Sequence, residues 1–364
     1  MKLNNKGFAI TALLYGLLIL FVMFVSSYLM MLSSRKNRLD AIISDISGNY
    51  NQTGTEKILN LFYPSDTVTD GSELKIDPNN DMIEDHYGNI RYYGKDPNNY
   101  IDIGDNVLWR IIGVFDGKLK VMRSSSIGEY SWDSSESTIN SGYGINEWTQ
   151  ADIMTELNTL YYNSTSGTCY IGSNNSSVDC DFTGNNGLSD SAKNVIEETT
   201  WYLGGWNTSS VTVKNMYAYE RDTNVIINPG DGIGRNIEWT GKIALPYPSD
   251  YGYATELGST KCSQRLSSYN NAGTDNTYPC RGNNWLWYIM TEATSASSDG
   301  QKDGSFLTPY LSYGYREFAV HKDGHVWYVE NSAYPKNIVP TAYLKSGVRI
   351  IAGNGGKDNP YKLN

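Results

Sequence analysis

Histidine and cysteine are scarce: 364 residues hold three of the first and four of the second, too few for a rich metal centre. Basic residues are scarce where they would matter most. Five of the 29 Lys and Arg (Lys2, Lys6, Arg35, Lys36, Arg38) lie in the first 38 residues, which contain no acid, leaving 24 against 39 Asp and Glu in the rest. A net charge of about −15 there repels phosphate backbones and excludes nucleic acid as a partner. There is no P-loop, dinucleotide-binding or haem motif, and no internal repeat of fixed period. The glycine runs GDGIG from Gly230 and GNGG from Gly353 lack the flanking strand and helix such motifs need, and read as turns. The length allows one large domain or two small ones.

What is present begins with a charge-free run of 25 residues, Phe8 to Leu32. As a helix it would extend roughly 37 Å, enough to cross a hydrocarbon core of about 30 Å. The apolar region of a cleaved secretory signal is shorter, about 7–15 residues, and ends in a small-residue site that is missing here. The expected organisation is a leader-like segment at 1–7 and a single transmembrane helix at 8–32. A helix extension and linker follow at 33–86, then an α+β domain over 87–364. The bilayer is thus the first expected partner. Basic residues flank the run on both sides, so the positive-inside count does not orient it. The cysteines bear on this. Cys169 and Cys180 are 11 residues apart and Cys262 and Cys280 are 18 apart, too far for the short gaps of a zinc site. Four cysteines permit three pairings, of which the local one needs least chain closure. Disulfides persist outside the cytosol, so the N-terminus is expected in the cytoplasm and the C-terminal domain outside the cell. Four free thiols in a cytosolic domain is the alternative.

The stretch Lys6-Gly7-Phe8-Ala9-Ile10-Thr11 before the apolar run resembles the leader of type IV pilin-like proteins. The resemblance implies cleavage after Gly7, methylation of Phe8 and pilin-like subunits as partners. The family usually carries Glu at the fifth mature position; Ala12 stands there, which favours anchoring over fibre assembly. Leu39, Ile42, Ile43 and Ile46 continue with the spacing of one helical face, and Gly48 and Asn49 supply a stop.

Farther on, strand-like residues flank Asp116-Gly117 and Asp323-Gly324, each predicting a two-residue type I′ hairpin. One helix is predicted from Thr149 with Ile153, Met154, Leu157 and Leu160 on a face. A second is predicted from Ser189 through Val195, Ile196 and Trp201 to Gly204-Gly205. Asn89–Ile112, SGYGINEWTQADIM from Ser141 and Trp239–Thr255 are similar to a family of Bacillota surface proteins that also begin with a pilin-like helix. That likeness implies a β-rich ectodomain of C-type-lectin-like fold, shared with formylglycine-generating enzymes and retroelement-diversified binding proteins. The family's closing Gly-Val-Arg-Pro is matched here only by Pro340, followed by Tyr343-Leu344-Lys345-Ser346; Asn337, Ile338 and Val339 replace the rest.

No catalytic constellation, metal site or cofactor is assigned, and the chain is not expected to be an enzyme. His321 and His325 straddle the Asp323-Gly324 turn, close enough to share a metal if a third ligand joined them, but they read as polar residues beside a turn. His86 falls in the linker. Cys262 and Cys280 are spaced like a structural loop, which argues against formylglycine-type oxidation. Asp133 and Glu136 beside Trp132, and Asp250 beside Tyr251 and Tyr253, are the carboxylates a glycoside hydrolase would use. The acidic loops Asp77–Asp85 and Asp102–Asn106 offer oxygen ligands for calcium, although Met82 replaces an EF-hand's glycine; solvated turns are the plainer reading. The 29 Tyr and 9 Trp suit recognition of glycan or protein. Trp285, Trp287, Tyr288 and Trp327 are the ligand-binding candidates. Trp285 and Trp287 would share one face of a strand, with a place in the core as the competing reading. The function expected is a surface-exposed binding or adhesion protein. Its alternatives are a minor pilin-like subunit of a pilus or secretion-type fibre, or a surface glycoside hydrolase.

Overall fold

The structure, a computed structural model, describes residues 15, 17–19, 21–26, 28–29, 32, 52–65, 74–135, 141–207, 211–222, 234–256, 282–292, 302–329 and 331–364. It divides into two units, Met1–Gln52 and Thr53–Asn364. In the first, every described residue from Tyr15 to Leu32 is helical, and all but Val25 are exposed. Among the described residues no helix is long and apolar enough to cross a membrane. Gly7, Phe8, Ala12 and the stripe from Leu39 to Ile46 lie outside them.

The second unit is α+β, as expected, and starts earlier than residue 87. Thr53 and Glu56 form a reciprocal capping box at the start of a helix, Gly54–Leu59, whose Ile58 is fully buried. Strands β1 (Lys75–Asp77) and β2 (Met82–Glu84) then open the main sheet. Part of the segment read as linker is therefore sheet; strands of three residues are too short to show an alternating pattern. The ten-stranded sheet continues through β3 (Ile90–Tyr92), β5 (Trp109–Phe115), β4 (Tyr100–Asp102) and the C-terminal strands Tyr361–Leu363 and Ile350–Ala352. A branch leaves β5 through β6 (Lys118–Arg123) to Thr341–Leu344 and Ile196–Glu197. All seven residues of β5 are buried, which is why its sequence does not alternate. Gly113 is required there: a Cβ would sit 2.2 Å from the Ile90 carbonyl oxygen of β3.

The Asp116-Gly117 turn between β5 and β6 has φ of 50° and 75° at its two residues, as a type I′ turn demands. The second hairpin differs. At its tip Gly324 alone has positive φ. The Gly324 N–H donates to His321 O at 2.7 Å and the His321 N–H to His325 O at 2.8 Å, closing a three-residue loop with glycine in the left-handed position. Its strands, Glu317–Val320 and Val326–Tyr328, belong to a five-stranded sheet with Gly304–Pro309, Lys336–Asn337 and Glu129–Tyr130.

Helices differ from expectation where side chains found other partners. The Thr149 hydroxyl donates to Glu147 instead of capping. A 3-10 turn, a four-residue helix Asp152–Thr155 and a π-helical turn Glu156–Tyr161 follow, with Ile153, Leu157 and Tyr161 buried. Ser189 does cap its helix, accepting from the Ala192 N–H at 3.1 Å, but that helix stops at Val195. β-branched Ile196 begins a strand paired with Leu344, and Trp201 lies in another strand paired with Trp239.

At the centre lies a cluster of buried ions. Asp250 sits in the first turn of a helix, Pro248–Tyr253. It accepts from Arg91 of β3 at 3.1 Å, from Lys120 of β6, and from the Tyr247 N–H at 2.9 Å. Arg91 also pairs with Asp85 at 2.6 Å. Burial pushes the Asp250 carboxyl up, and the Lys120 and Arg91 cations, with their hydrogen bonds, outweigh it and hold it below its ordinary range. The cations sit in an aromatic jacket: Arg91 lies over Phe115 and Tyr253 at 4.4 and 4.5 Å, and Lys120 over Tyr247 at 4.3 Å. Removing one partner of such a cluster strands the others. Asp250→Asn is expected to cost about 3–5 kcal/mol in denaturant unfolding, whereas Lys75→Ala, which breaks an exposed pair with Glu84, should cost under about 1 kcal/mol.

Buried acids give a second test. Glu156 accepts from the Tyr170 N–H at 2.8 Å, while its second oxygen has no hydrogen-bond partner among the described residues. Burial raises its pKa from 4.5 to about 8. Between these values the unfolded chain releases a proton that the folded chain keeps, so stability falls as pH rises across that window. Glu220, raised to about 7, and Asp133, raised to about 6, act with the same sign. Glu156→Gln removes the largest of these contributions. Its melting temperature is expected to fall less between pH 5 and pH 8 than that of the wild type; parallel profiles would refute this.

Candidate binding surface

The expected binding aromatics separate into core and periphery. Trp285 and Trp287 are fully buried and lie on a helix, Trp285–Met290, not on a strand. Asn284 decides this by accepting from the Leu286 and Trp287 N–H groups at 2.9 and 3.3 Å, an N-cap standing directly before the apolar run. Their indole N–H groups donate to Tyr92 O and Lys322 O, so neither faces a ligand. Tyr288 is half-buried, with its hydroxyl on Gly282 O at 3.4 Å. Trp327 is half-buried at the second hairpin, edge-on to His321.

Cys169 and Cys180 form a disulfide with Cα atoms 5.7 Å apart. It cross-links the hairpin of Ser166–Gly172 with Ser176–Asp181 and turns both sulfurs inward, while the neighbouring strand positions stay largely exposed. Cys262, Cys280 and Glu136 lie outside the described residues. The carboxylates beside aromatics have internal partners: Asp133 accepts from Ser135, Ile145 and Asp152, and Asp250 is the ion-cluster centre. The acidic loops are likewise closed on themselves. Asp77 accepts from the Tyr63 and Asn79 N–H groups, Asp102 from the Gly104 N–H, and Asp105 from the Trp109 indole.

Three exposed tyrosines of the second unit stand elsewhere. Between strands Gly304–Pro309 and Glu317–Val320, the loop Tyr310–Arg316 folds over Asn146. The two hydrogens of the Asn146 side-chain amide are shared among the carbonyls of Tyr310, Tyr313 and Arg316, at 3.0, 2.8 and 2.6 Å, and its backbone N–H donates to Gly314 O at 2.8 Å. Its own oxygen accepts from Arg235 Nε at 2.9 Å. One fully buried amide thus fixes the whole loop. Neighbouring segments are sewn to it by the Ser332 N–H on Tyr315 O and the Ala333 N–H on Tyr143 O. Lys336, buried and paired with Glu317 at 2.7 Å, donates to Tyr334 O.

On this frame stands a ledge of tyrosines. Tyr143, Tyr313 and Tyr334 are 45%, 45% and 57% exposed, far more than the aromatics of the core. Tyr315 and Tyr328 are half-buried. Ring centroids are 5.6 Å apart for Tyr143–Tyr315 and 5.7 Å for Tyr313–Tyr315. Tyr328 stacks on Tyr310 at 4.2 Å, and Tyr310 abuts Phe318, itself stacked on Trp206 at 4.1 Å. The Arg316 guanidinium lies over Tyr313 at 4.4 Å and Tyr328 at 5.1 Å. Tyrosine supplies broad apolar faces with polar rims at little cost in rotamer entropy. The surface therefore offers stacking area and phenol hydroxyls in a rigid setting. Only the run Tyr313-Gly314-Tyr315-Arg316 hints at it in sequence, since Tyr143, Tyr328 and Tyr334 come from separate segments. Comparison with protein-family models, curated proteins and solved structures finds no match for this chain.

Proposed function

We propose that this chain is a membrane-anchored, surface-exposed binding protein whose ectodomain recognises glycan or protein through the tyrosine ledge. The carrying observation is that exposed Tyr143, Tyr313 and Tyr334 stand on backbone immobilised by Asn146 and Lys336. A surface that is ordered before binding spares the entropy of ordering it. Anchoring rests on the 25-residue charge-free run, and export is supported by the Cys169–Cys180 disulfide. The C-type-lectin-like reading rests on sequence resemblance alone. Ala12 in place of the pilin glutamate favours an anchored monomer over a fibre subunit. Self-contained hydrogen bonding of Asp133 and Asp250 favours binding over glycoside hydrolysis.

The test is to display full-length protein in detergent to glycan and protein arrays, and to titrate each hit with variants. Tyr313→Ala and Tyr143→Ala are each expected to cost about 1–3 kcal/mol of binding, tenfold or more in Kd. Tyr63→Ala, at an exposed tyrosine of the N-terminal part of the unit, should bind as wild type. Arrays without a hit, or hits indifferent to both ledge variants, would overturn the proposal.

A further inference from the structure

The second hairpin carries another cluster at its tip, at the opposite end of its strands from the ledge loop. We infer that His321, Asp323 and His325 bind one divalent transition-metal ion of the zinc type. One ligand atom from each lies within 4.8 Å of the others. His321 Nδ1 is 3.1 Å from Asp323 Oδ2, and the two imidazoles are stacked with centroids 4.7 Å apart. Ligand atoms bonded at about 2.0–2.2 Å to a tetrahedral ion stand roughly 3.3 Å from one another, so small side-chain rotations close the set. The third donor that the histidines needed is the aspartate of the turn itself. A second carboxylate stands behind them: Asp303 Oδ1 is 3.9 Å from His321 Nε2 and accepts from the Lys322 N–H at 3.0 Å.

What distinguishes this tip from an ordinary exposed turn is its anchorage. The Trp287 indole donates to Lys322 O at 3.2 Å and the Tyr251 hydroxyl to Gly324 O at 2.7 Å. Both donors are fully buried, so two core aromatics hold the loop backbone from beneath. The Trp327 ring packs edge-on against both imidazoles at 5.5 and 6.5 Å. All three donor residues are half-buried, neither sealed from an entering ion nor loose in solvent. Two imidazoles and one carboxylate suit zinc, nickel or copper, whereas calcium and magnesium prefer sets made of oxygen. Three protein donors leave room for water or an outside ligand on the ion. The rival occupant is a proton shared between His321 and Asp323.

The experiment is zinc titration of the full-length, tag-free, chelator-treated protein in detergent, followed calorimetrically and by thermal unfolding. Wild type is expected to bind one equivalent and to melt higher with zinc. His321→Ala and His325→Ala should each weaken binding about tenfold or more and lose the thermal shift, while His86→Ala should retain both. Asp323→Asn, which keeps the turn's size, should also weaken binding and so guards against a misfolded alanine variant. Cobalt substitution should give a visible absorption band that His325→Ala removes. Absence of a one-to-one site, or wild-type zinc binding by the His321 and Asp323 variants, would leave the shared proton as the occupant and overturn the inference.

Discussion

Asp250 is the constraint around which the second unit is arranged. It is a single buried carboxylate joined to Arg91 on β3 and Lys120 on β6, with its own helix start closing over it. An acidic chain has many carboxylates to spare at its surface and few cations, so burying Arg91 and Lys120 commits scarce charge to the interior. Such a cluster is a weak source of net stability, yet losing one partner leaves the others buried and uncompensated. A sheet packed one register out would leave Asp250 facing one cation or none. Part of the aromatic content serves the same end, because rings of Phe115, Tyr247, Tyr253, Trp201 and Tyr343 line the cations and exclude water without forfeiting all electrostatic stabilisation.

Legibility in the sequence followed the range of each interaction. The Asp116-Gly117 hairpin, the Ser189 cap and the Cys169–Cys180 pair are local, and each stands where neighbouring residues predict it. The Asp323-Gly324 turn was half legible: the hairpin is there, but His321 and His325 pair across it and leave a three-residue loop. The Trp285–Trp287 alternation suits a strand, but the Asn284 cap one position earlier starts a helix, and both rings take the core position that the sequence also allows. The ledge was hidden for a different reason. Its tyrosines come from residues 143, 313–315, 328 and 334, and the group that unites them, Asn146, is an unremarkable amide until three carbonyls converge on it. The metal-type cluster lay in plain view as two histidines around a turn, and only the conformation of that turn brings Asp323 against His321.

The division of aromatics between interior and surface has a chemical logic. Trp109, Trp132, Trp201, Trp285 and Trp287 are among the largest fully buried side chains, and all five satisfy their one donor internally, the first four on Asp105, Phe306, Gly241 and Tyr92 respectively. Trp287 does so on the metal-type hairpin. Tyrosine carries a hydroxyl that both donates and accepts, so it can end at water or at a ligand with no unsatisfied group. Tyrosine therefore serves in both places, in the core as Tyr247 and Tyr251 and at the rim as Tyr143, Tyr313 and Tyr334, whereas none of the tryptophans is exposed.

The hairpin Glu317–Tyr328 joins these themes physically. One end supplies Tyr328 to the ledge, stacked on Tyr310; the other supplies His321 and His325, whose loop hangs from Trp287 and Tyr251. Between the ends run three cross-strand pairs, Phe318 with Tyr328, Ala319 with Trp327 and Val320 with Val326. A ladder that short frays readily when its ends are free. Here one end is clamped by aromatic stacking and the other by two hydrogen bonds from the core. An ion held by the tip would tighten the second clamp, and a partner seated on the ledge would tighten the first. Each would lower the entropy that the other has still to remove, which is the condition for positive coupling without any change of shape.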